Sequence, residues 1–551
     1  AAPTGSGKTV ILELALLRLI QQHGNQACRA IYIAPTKAST AHDQALCAER
    51  AADWSSKFAA FGLKCEQVTG DTDTLGLQVL RHSHIIVTTP EKWDAITRRW
   101  QVHCLCNAIR DESDCLQQID EVHVLNGQRG ATLEVVVSRM RATHDMIRCL
   151  AVSATIPNAC DISEWLYESS SERATSRPAL LLEFDNSYRP VPLEKVVLGY
   201  APGNMSSFLF DRSLDQKLLD VILRYAEGGP TLIFCSTRKA AQQAAETLCP
   251  VGADASSGST YVQNRKLSAL VLSGMAFHHA GLSLSDRQAV ERLFSQGSVA
   301  VVCKCTTSTL AVGVNLPAHL VIIKSTKGYA NASYTEYTSL DVLQMIGRAG
   351  RPQYDCSGTA VILTTNDMCD HYERMVTGKE AIETQLRIDF AYSLHKQLCE
   401  HLNAETSLGT IKSIADALKW LQSTFLYTRI KTNPRYYLAA LGDSRDGYLD
   451  VAQVCRMLKA HRYAVCRVFY SCLHTTNVHA VLGQLMTKHC LQLETMLAIK
   501  NMGRALDLEQ ILGIVTRAKE FEEFSFHPGE KKFFNSLRRN SSIRFPVKGK
   551  C

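Results

Sequence analysis

The stretch AAPTGSGKTV, Ala1 to Val10, decides the fold. Gly5 and Gly7 allow a turn tight enough for successive backbone N–H groups to point the same way. The run that follows, ILELALLRLI (11–20), has the apolar spacing of a helix. A glycine-rich turn opening a helix is an anion cradle, because the helix N-terminus adds its partial positive charge. Thr4, Gly5, Ser6 and Gly7 therefore read as a phosphate loop. Lys8 would neutralise the β- and γ-phosphates of a nucleotide, and the Thr9 hydroxyl would ligate Mg²⁺. The generic pattern begins with glycine, and Ala2 stands in that place. Such loops follow a buried strand, so the sequence reads as a fragment of a longer parent, truncated at both ends.

Outward from that loop, helical patterns alternate with short apolar strands: AIYIAP (30–35), HIIVTTP (84–90) and MIRCLAVSAT (146–155). A second series follows with PTLIFCST (230–237), SVAVVCKCTT (298–307), HLVIIKST (319–326) and TAVILTT (359–365). The helix SDRQAVERLF (285–294) is expected to open on its own Ser/Asp cap. Alternation of this kind gives parallel sheets covered by helices, and its repetition gives a cleft between two halves. From about 385 onward the segments are helix-like.

Two further motifs carry chemistry. In IDEVHVL (119–125), Asp120 would hold the metal, Glu121 would polarise the attacking water, and His123 is placed to sense the phosphate. In QMIGRAGRPQYD (344–355), Arg348 and Arg351 are expected on one face of a short helix beginning near Leu340. Guanidinium forks there suit a γ-phosphate, with Gln344 beside them.

Composition sets the outer limits. The 551 residues are 46% hydrophobic and 21% charged, as in an ordinary globular protein, with room for three or four domains. No apolar run approaches the roughly 20 residues that span a bilayer. The net charge of +7 is dispersed, which permits nucleic-acid binding without requiring it. The 20 cysteines are scattered with no Cys-x-x-Cys pair, so neither a zinc ribbon nor a disulfide framework follows.

Together with SAT (153–155), FHHAGLS (277–283) and TSTLAVGVNLPAH (307–319), these motifs resemble the ordered signatures of superfamily-2 DExH helicases. EHLNAETSLGTI, ALKWLQSTFLYTRIKTNP and GQLMTKHCLQLETM extend the likeness to the branch with a winged helix and a translocon-like helical domain. Within it, the chain resembles the meiotic crossover-promoting DNA helicases. The likeness implies two tandem RecA-like parallel-sheet α/β domains followed by a winged helix and the start of an all-α domain. The expected bounds are 1–184, 185–378, 379–480 and 481–551.

The resemblance also implies roles. ATP with Mg²⁺ would lie between the halves, with Thr9 and Asp120 on the metal and Gly313 and Asn315 near the ribose. Ser153 and Thr155 would couple hydrolysis to movement; alternatively they cap a helix beginning near Pro157. Single-stranded DNA would run over Pro35, Thr36, Lys37, Thr88, Thr89 and Pro90 on the first half. On the second half it would meet Ser236, Thr237, Arg238, Thr307 and Ser308. KGYANASYTEYT (327–338) lies where relatives place a strand-separating hairpin, with Tyr329 or Tyr334 to stack on a base pair. The winged helix is expected to brace both halves, and its row Trp420, Phe425, Leu426 and Tyr427 to be core. The implied function is ATP-dependent unwinding of duplex or recombination intermediates in a nucleus, with branched DNA and recombination proteins as partners and no membrane. An RNA-remodelling helicase of spliceosomal type, or an impaired nucleic-acid-binding scaffold, stays open as an alternative.

Two places depart from the pattern. The strand into Asp120 reads DESDCLQQI, so Gln117 and Gln118 are expected to bury amides without partners, at about 1–3 kcal/mol each. An altered exon boundary within 98–119 is one account of that stretch. Lys304 falls where an apolar strand residue belongs, and its stem is expected to snorkel to the sheet end.

Overall fold

The computed structural model describes residues 1–24, 29–34, 40–68, 83–98, 115–126, 130–143, 147–167, 177–249, 262–305, 316–330, 333–352, 354–378, 381–384, 396–433, 477–501, 507–521 and 536.

The first half is a parallel sheet of β1 (Arg29–Ile33), β2 (Cys65–Val68), β3 (Ile85–Thr88), β4 (Cys115–Ile119) and β5 (Arg148–Ala151), in the order β2-β3-β1-β4-β5. Its helices are α1 (Lys8–His23), α2 (Thr40–Phe58), α3 (Pro90–Thr97), α4 (Gly130–Thr143) and α5 (Ala159–Trp165). The three inner strands, β3, β1 and β4, are buried over nearly their whole length, as a sheet covered on both faces requires. Gln117 and Gln118 are fully buried in β4. Gln118 Nε2 donates to the Leu12 carbonyl at 2.8 Å, so the strand fastens α1 through an amide. Gln117 Oε1 meets Cys149 Sγ at 3.5 Å, while its Nε2 has no partner among the described residues. The expectation of two unpartnered amides is thus corrected: each makes one contact and leaves one atom bare.

The second half holds β6 (Leu193–Tyr200), β7 (Thr231–Cys235), β8 (Met275–His278), β9 (Val301–Cys305), β10 (Leu320–Ile323) and β13 (Gly358–Thr365), all parallel, in the order β6-β13-β10-β7-β9-β8. The antiparallel ribbon of β11 (Lys327–Ala330) and β12 (Ser333–Glu336) forms the expected hairpin, with Tyr329 opposite Tyr334. Helices α6 (Ser207–Ser213), α7 (Asp215–Tyr225), α8 (Arg238–Leu248), α9 (Arg265–Leu272), α10 (Leu284–Ser295), α11 (Ser339–Ile346) and α12 (Cys369–Val376) cover this sheet. The cap of α10 is Ser283, two residues earlier than expected, with its hydroxyl accepting from Asp286 N at 3.1 Å. Lys304 does not snorkel: it is 4% exposed inside β9, between Phe234 and His278 of the flanking strands. Burial pushes the Glu291 carboxyl on α10 up, and the Lys304 charge acts against that rise.

The halves are joined by a short connection. Phe184 N donates to the Ala1 carbonyl at 2.9 Å on the first half, and Arg189 Nη2 donates to the Ala349 carbonyl at 2.7 Å on the second. Between them lies one 3₁₀ turn, Asn186–Tyr188, capped by the Asp185 carboxylate on Ser187 N.

After the second half come α13 (Lys396–Ser407), α14 (Ile414–Gln422) and α15 (Phe425–Thr432). Trp420, Phe425 and Leu426 are buried and Tyr427 is half-buried, so the aromatic row is core. The polar contacts of this segment reach the first half, where bracing of both halves was expected. Arg139 on α4, fully buried, donates to Glu405 on α13 at 2.6 Å and to Asp94 on α3 at 2.8 Å. Glu134 accepts from Leu426 N at 2.8 Å, and Arg429 pairs with Asp161 and Glu383. Asn158 exchanges two hydrogen bonds with the backbone of Ile382. Helices α16 (Asn477–His489), α17 (Leu493–Lys500) and α18 (Leu508–Val515) follow. Among the described residues no helix is long and apolar enough to cross a membrane.

Candidate active site

The phosphate loop turns through Gly5 (φ 86°) and Gly7 (φ 84°), both left-handed, and Gly7 is the N-cap of α1. A Cβ at either position would meet nothing within 4 Å, so the loop faces open space. Its base is pinned by Ala2 N donating to the Ser153 carbonyl at 3.0 Å. Lys8 is 9% exposed, with Nζ 3.4 Å from Glu121 Oε2 and donating to the Ala2 carbonyl at 3.4 Å.

Strand β4 delivers Asp120 and Glu121 beside that lysine. Asp120 N donates to the Ile33 carbonyl at 3.2 Å, and Tyr32 Oη donates to Asp120 Oδ2 at 2.5 Å. Burial and the neighbouring Glu121 carboxylate push the Asp120 carboxyl up, against the Tyr32 hydrogen bond. Glu121 has φ 51°, a left-handed conformation that costs a non-glycine residue about 1–3 kcal/mol and marks a constrained site. His123 Nδ1 accepts from Ala154 N at 3.3 Å and lies 3.5 Å from Ser153 Oγ. Burial, reinforced by Lys8, pushes His123 down to about 3. It is therefore neutral at pH 7, and its 3.3 Å approach to Glu121 Oε2 is not an ion pair. Glu121 Oε2 and Ser153 Oγ both lie within 3.5 Å of His123 Nδ1, so the imidazole stands between the carboxylate and the base of the phosphate loop. Ser153 is buried and Thr155 exposed, and α5 takes Asn158 as its N-cap position, which removes the helix-cap alternative for both.

Across the cleft, a cavity of about 370 Å³ has Thr4 and Gly5 on one wall and Gln344, Gly347 and Arg348 on the other. Helix α11, capped by the Thr338 hydroxyl, ends at Gly347. Arg348 and Arg351 therefore lie beyond it rather than on one helical face. Gly350 takes φ 84°, and its N–H and the Arg348 carbonyl bracket Ala318 in a backbone bridge that diverts the chain. Arg351 is turned onto Asp355, with Nε–Oδ2 at 3.1 Å and Nη2–Oδ1 at 2.9 Å. Arg348 lines the cavity and feels the charge of Glu49, which α2 carries on the opposite half.

The strand-contact candidates divide. Thr88 Oγ1 is buried and donates to the Val68 carbonyl at 3.0 Å, Thr89 caps α3, and Pro90 is that helix's first residue. Ser236 is buried, Thr237 caps α8, and Arg238 is exposed at its start. Pro35, Thr36, Lys37, Thr307, Ser308, Gly313 and Asn315 lie outside the described residues. Tyr32 and Arg189 were not singled out in the sequence, where one reads as strand filler and the other as a linker cation.

Two parallel-sheet halves meet around a phosphate loop, an Asp-Glu pair and an arginine, and the first half is similar to the DEAD/DEAH box helicases. That family's profile matches residues 1–162, the helicase conserved C-terminal domain 214–353, a winged helix-turn-helix domain 392–453 and a Sec63 Brl domain 480–551. The chain is 40% identical over 580 residues to the probable ATP-dependent DNA helicase HFM1 of Homo sapiens, covering 100% of this chain and 38% of that protein. It is 38% identical over 557 residues to the ATP-dependent DNA helicase MER3 of Saccharomyces cerevisiae, covering 99% and 44%. Activating signal cointegrator 1 complex subunit 3 of Gallus gallus is 32% identical over 595 residues, covering 100% and 25%. The chain thus spans less than half the length of these relatives.

Proposed function

We propose that this chain is the motor of an ATP-dependent DNA helicase that translocates on single-stranded DNA, acting in the nucleus on duplex or recombination intermediates during meiotic crossover formation. The observation that carries the reading is the convergence of Lys8, Glu121 and His123 behind a phosphate loop whose Thr4 and Gly5 share a cavity with Gln344 and Arg348 of the other half. The relatives named as DNA helicases support the choice of DNA.

The residues present fit a nucleoside triphosphate with Mg²⁺. The cradle at Gly5 and Gly7 is open, a cation stands at its mouth, and Glu121 Oε2 is buried without a hydrogen-bond donor among the described residues. Thr9 and Asp120 would hold the metal, which supplies charge neutralisation at the β- and γ-phosphates. Lys8 orients the phosphates, Glu121 takes the proton of the attacking water, and Arg348 spreads positive charge over the departing phosphoryl group. His123 and Ser153 pass any shift of Glu121 to the base of the loop. The connection at Asn186–Tyr188 and the helices from Lys396 onward support divisions near 184 and 378, while the one at 480 falls inside α16 (Asn477–His489).

The test is ATP hydrolysis and strand displacement by the chain, with single-stranded DNA or RNA as stimulant. Lys8→Ala and Glu121→Gln are expected to abolish turnover and spare strand binding; unchanged hydrolysis in both overturns the assignment. Stimulation by RNA and not by DNA replaces the meiotic reading with RNA remodelling.

A further inference from the structure

The carboxylate of Asp120 sits at the end of a strand, with two side-chain torsions to settle. Among the described residues, one hydrogen-bond donor reaches it: the hydroxyl of Tyr32, 2.5 Å from Oδ2. That length belongs to an O–H···O⁻ bond, in which a charged acceptor draws the donor in. Tyr32 stands on β1, paired with Gln118 two residues before Asp120, so its ring spans the gap between neighbouring strands. The ring is 1% exposed and has a rigid mounting of its own. Trp54 meets it edge-on with centroids 5.1 Å apart at 71°, and the Arg50 guanidinium lies 5.9 Å from its centroid. Trp54 is fixed in turn by Nε1 donating to Glu13 Oε1 at 3.0 Å, which ties α2 to the helix that leaves the phosphate loop.

We propose that Tyr32 is a positioning residue for the metal-holding carboxylate: its hydroxyl occupies Oδ2 and presents Oδ1 to the cation. The inference rests on the ATP·Mg²⁺ reading of this site. A hydroxyl mounted on a packed ring holds an oxygen in place better than water would, because the ring cannot turn without displacing Trp54. Groups that orient a metal ligand in this way carry about 10- to 100-fold of metal affinity. The ring links α2 to the carboxylate, and α1 is linked in turn through Glu13 and Trp54, so the setting of the metal ligand depends on how those two helices pack.

The experiment uses the full chain and Tyr32→Phe, which keeps the ring and removes one oxygen. Binding of a fluorescent ADP analogue is titrated with Mg²⁺, and separately measured in EDTA. The Mg²⁺ concentration for half-maximal binding is expected to rise roughly tenfold with EDTA affinity unchanged. In steady-state hydrolysis, most of the deficit is expected to disappear at saturating Mg²⁺. An unaltered Mg²⁺ dependence overturns the proposal, as does an equal loss of binding with and without the metal. If Tyr32→Phe does not fold, Trp54→Phe takes its place: it keeps the hydroxyl and loosens the ring. A smaller rise in the Mg²⁺ requirement is then expected, and none overturns the proposal. A wild-type chain that binds no nucleotide at any Mg²⁺ concentration fails the ATP reading and this inference together. A wild type that binds, with a variant identical to it, fails this inference alone.

Discussion

Gly347 on the second half stands so close to Thr4 of the phosphate loop that a Cβ built on it would lie 2.6 Å from Thr4 Cγ2. The two halves touch there without a side chain to spare. Gly347 has φ −61°, so alanine fits its backbone conformation, and the new Cβ would press first on Thr4 and then, at 3.0 Å, on the Leu343 carbonyl oxygen. Gly347→Ala is expected to wedge the cleft and raise the KM for ATP about tenfold, with little change in melting temperature. Thr4→Ser in the same chain removes Cγ2 and is expected to restore most of the loss. Steady-state ATP hydrolysis by the single and double variants checks both.

The two arginines of the second half are expected to part company. Arg348 lines the cavity, whereas Arg351 is spent on Asp355. Arg348→Ala should lower kcat about 10³-fold, the effect of removing a charge-stabilising arginine from phosphoryl transfer. Arg351→Ala and Asp355→Ala should resemble one another, each loosening the loop and lowering kcat by less. Equal losses for Arg348 and Arg351 would show that Arg351 leaves Asp355 when nucleotide binds.

Glu134 supplies a pH dependence. It is fully buried, and burial pushes its carboxyl up to about 7 despite the Leu426 N–H and the Thr384 hydroxyl 2.5 Å away. A carboxyl raised in the fold favours the protonated form, so the folded state is penalised as pH rises from the usual carboxylate range through 7. The penalty is complete above 7 and amounts to about 3 kcal/mol. Glu134→Gln keeps an acceptor for Leu426 and removes the charge. It is expected to flatten this loss and be the more stable protein at pH 8, and little different at pH 5, in thermal melts.

Removing one partner from the Arg139 cluster should be costly. Arg139 and Glu405 are both 0% exposed, so Arg139→Met leaves Glu405 buried and uncompensated. The expected cost is about 3–5 kcal/mol, and Arg139→Met combined with Glu405→Met should recover a large part of it. Denaturant midpoints of the three proteins decide the matter.

The fold was legible in the sequence wherever local chemistry dictates it. Gly5, Gly7 and the apolar run after Lys8 set the phosphate loop and α1, and the alternating strands set two parallel sheets. What escaped depends on the third dimension. Strand β6 has mixed half-buried residues, because it lies at a sheet edge and carries no continuous apolar run. The departure of Arg348 from α11 is caused by a bridge to Ala318, thirty residues away in sequence. Gln118 looked like a defect until Leu12, over a hundred residues earlier, supplied the acceptor. Tyr32 was one aromatic in a buried strand, and only the placement of Asp120 opposite gives its hydroxyl a task.

The short connection at Asn186–Tyr188 has a mechanical meaning. One end is fastened to the first half through Phe184 and the other to the second through Arg189, leaving a single capped turn of slack. A tether of that length permits swing and forbids lift. Opening of the cleft is therefore held close beside the phosphate loop, and it must also accommodate the chain's return after α12, where Ile382 is bonded to Asn158. Lengthening the turn by two or three glycines would loosen the first of these holds and leave the second in place.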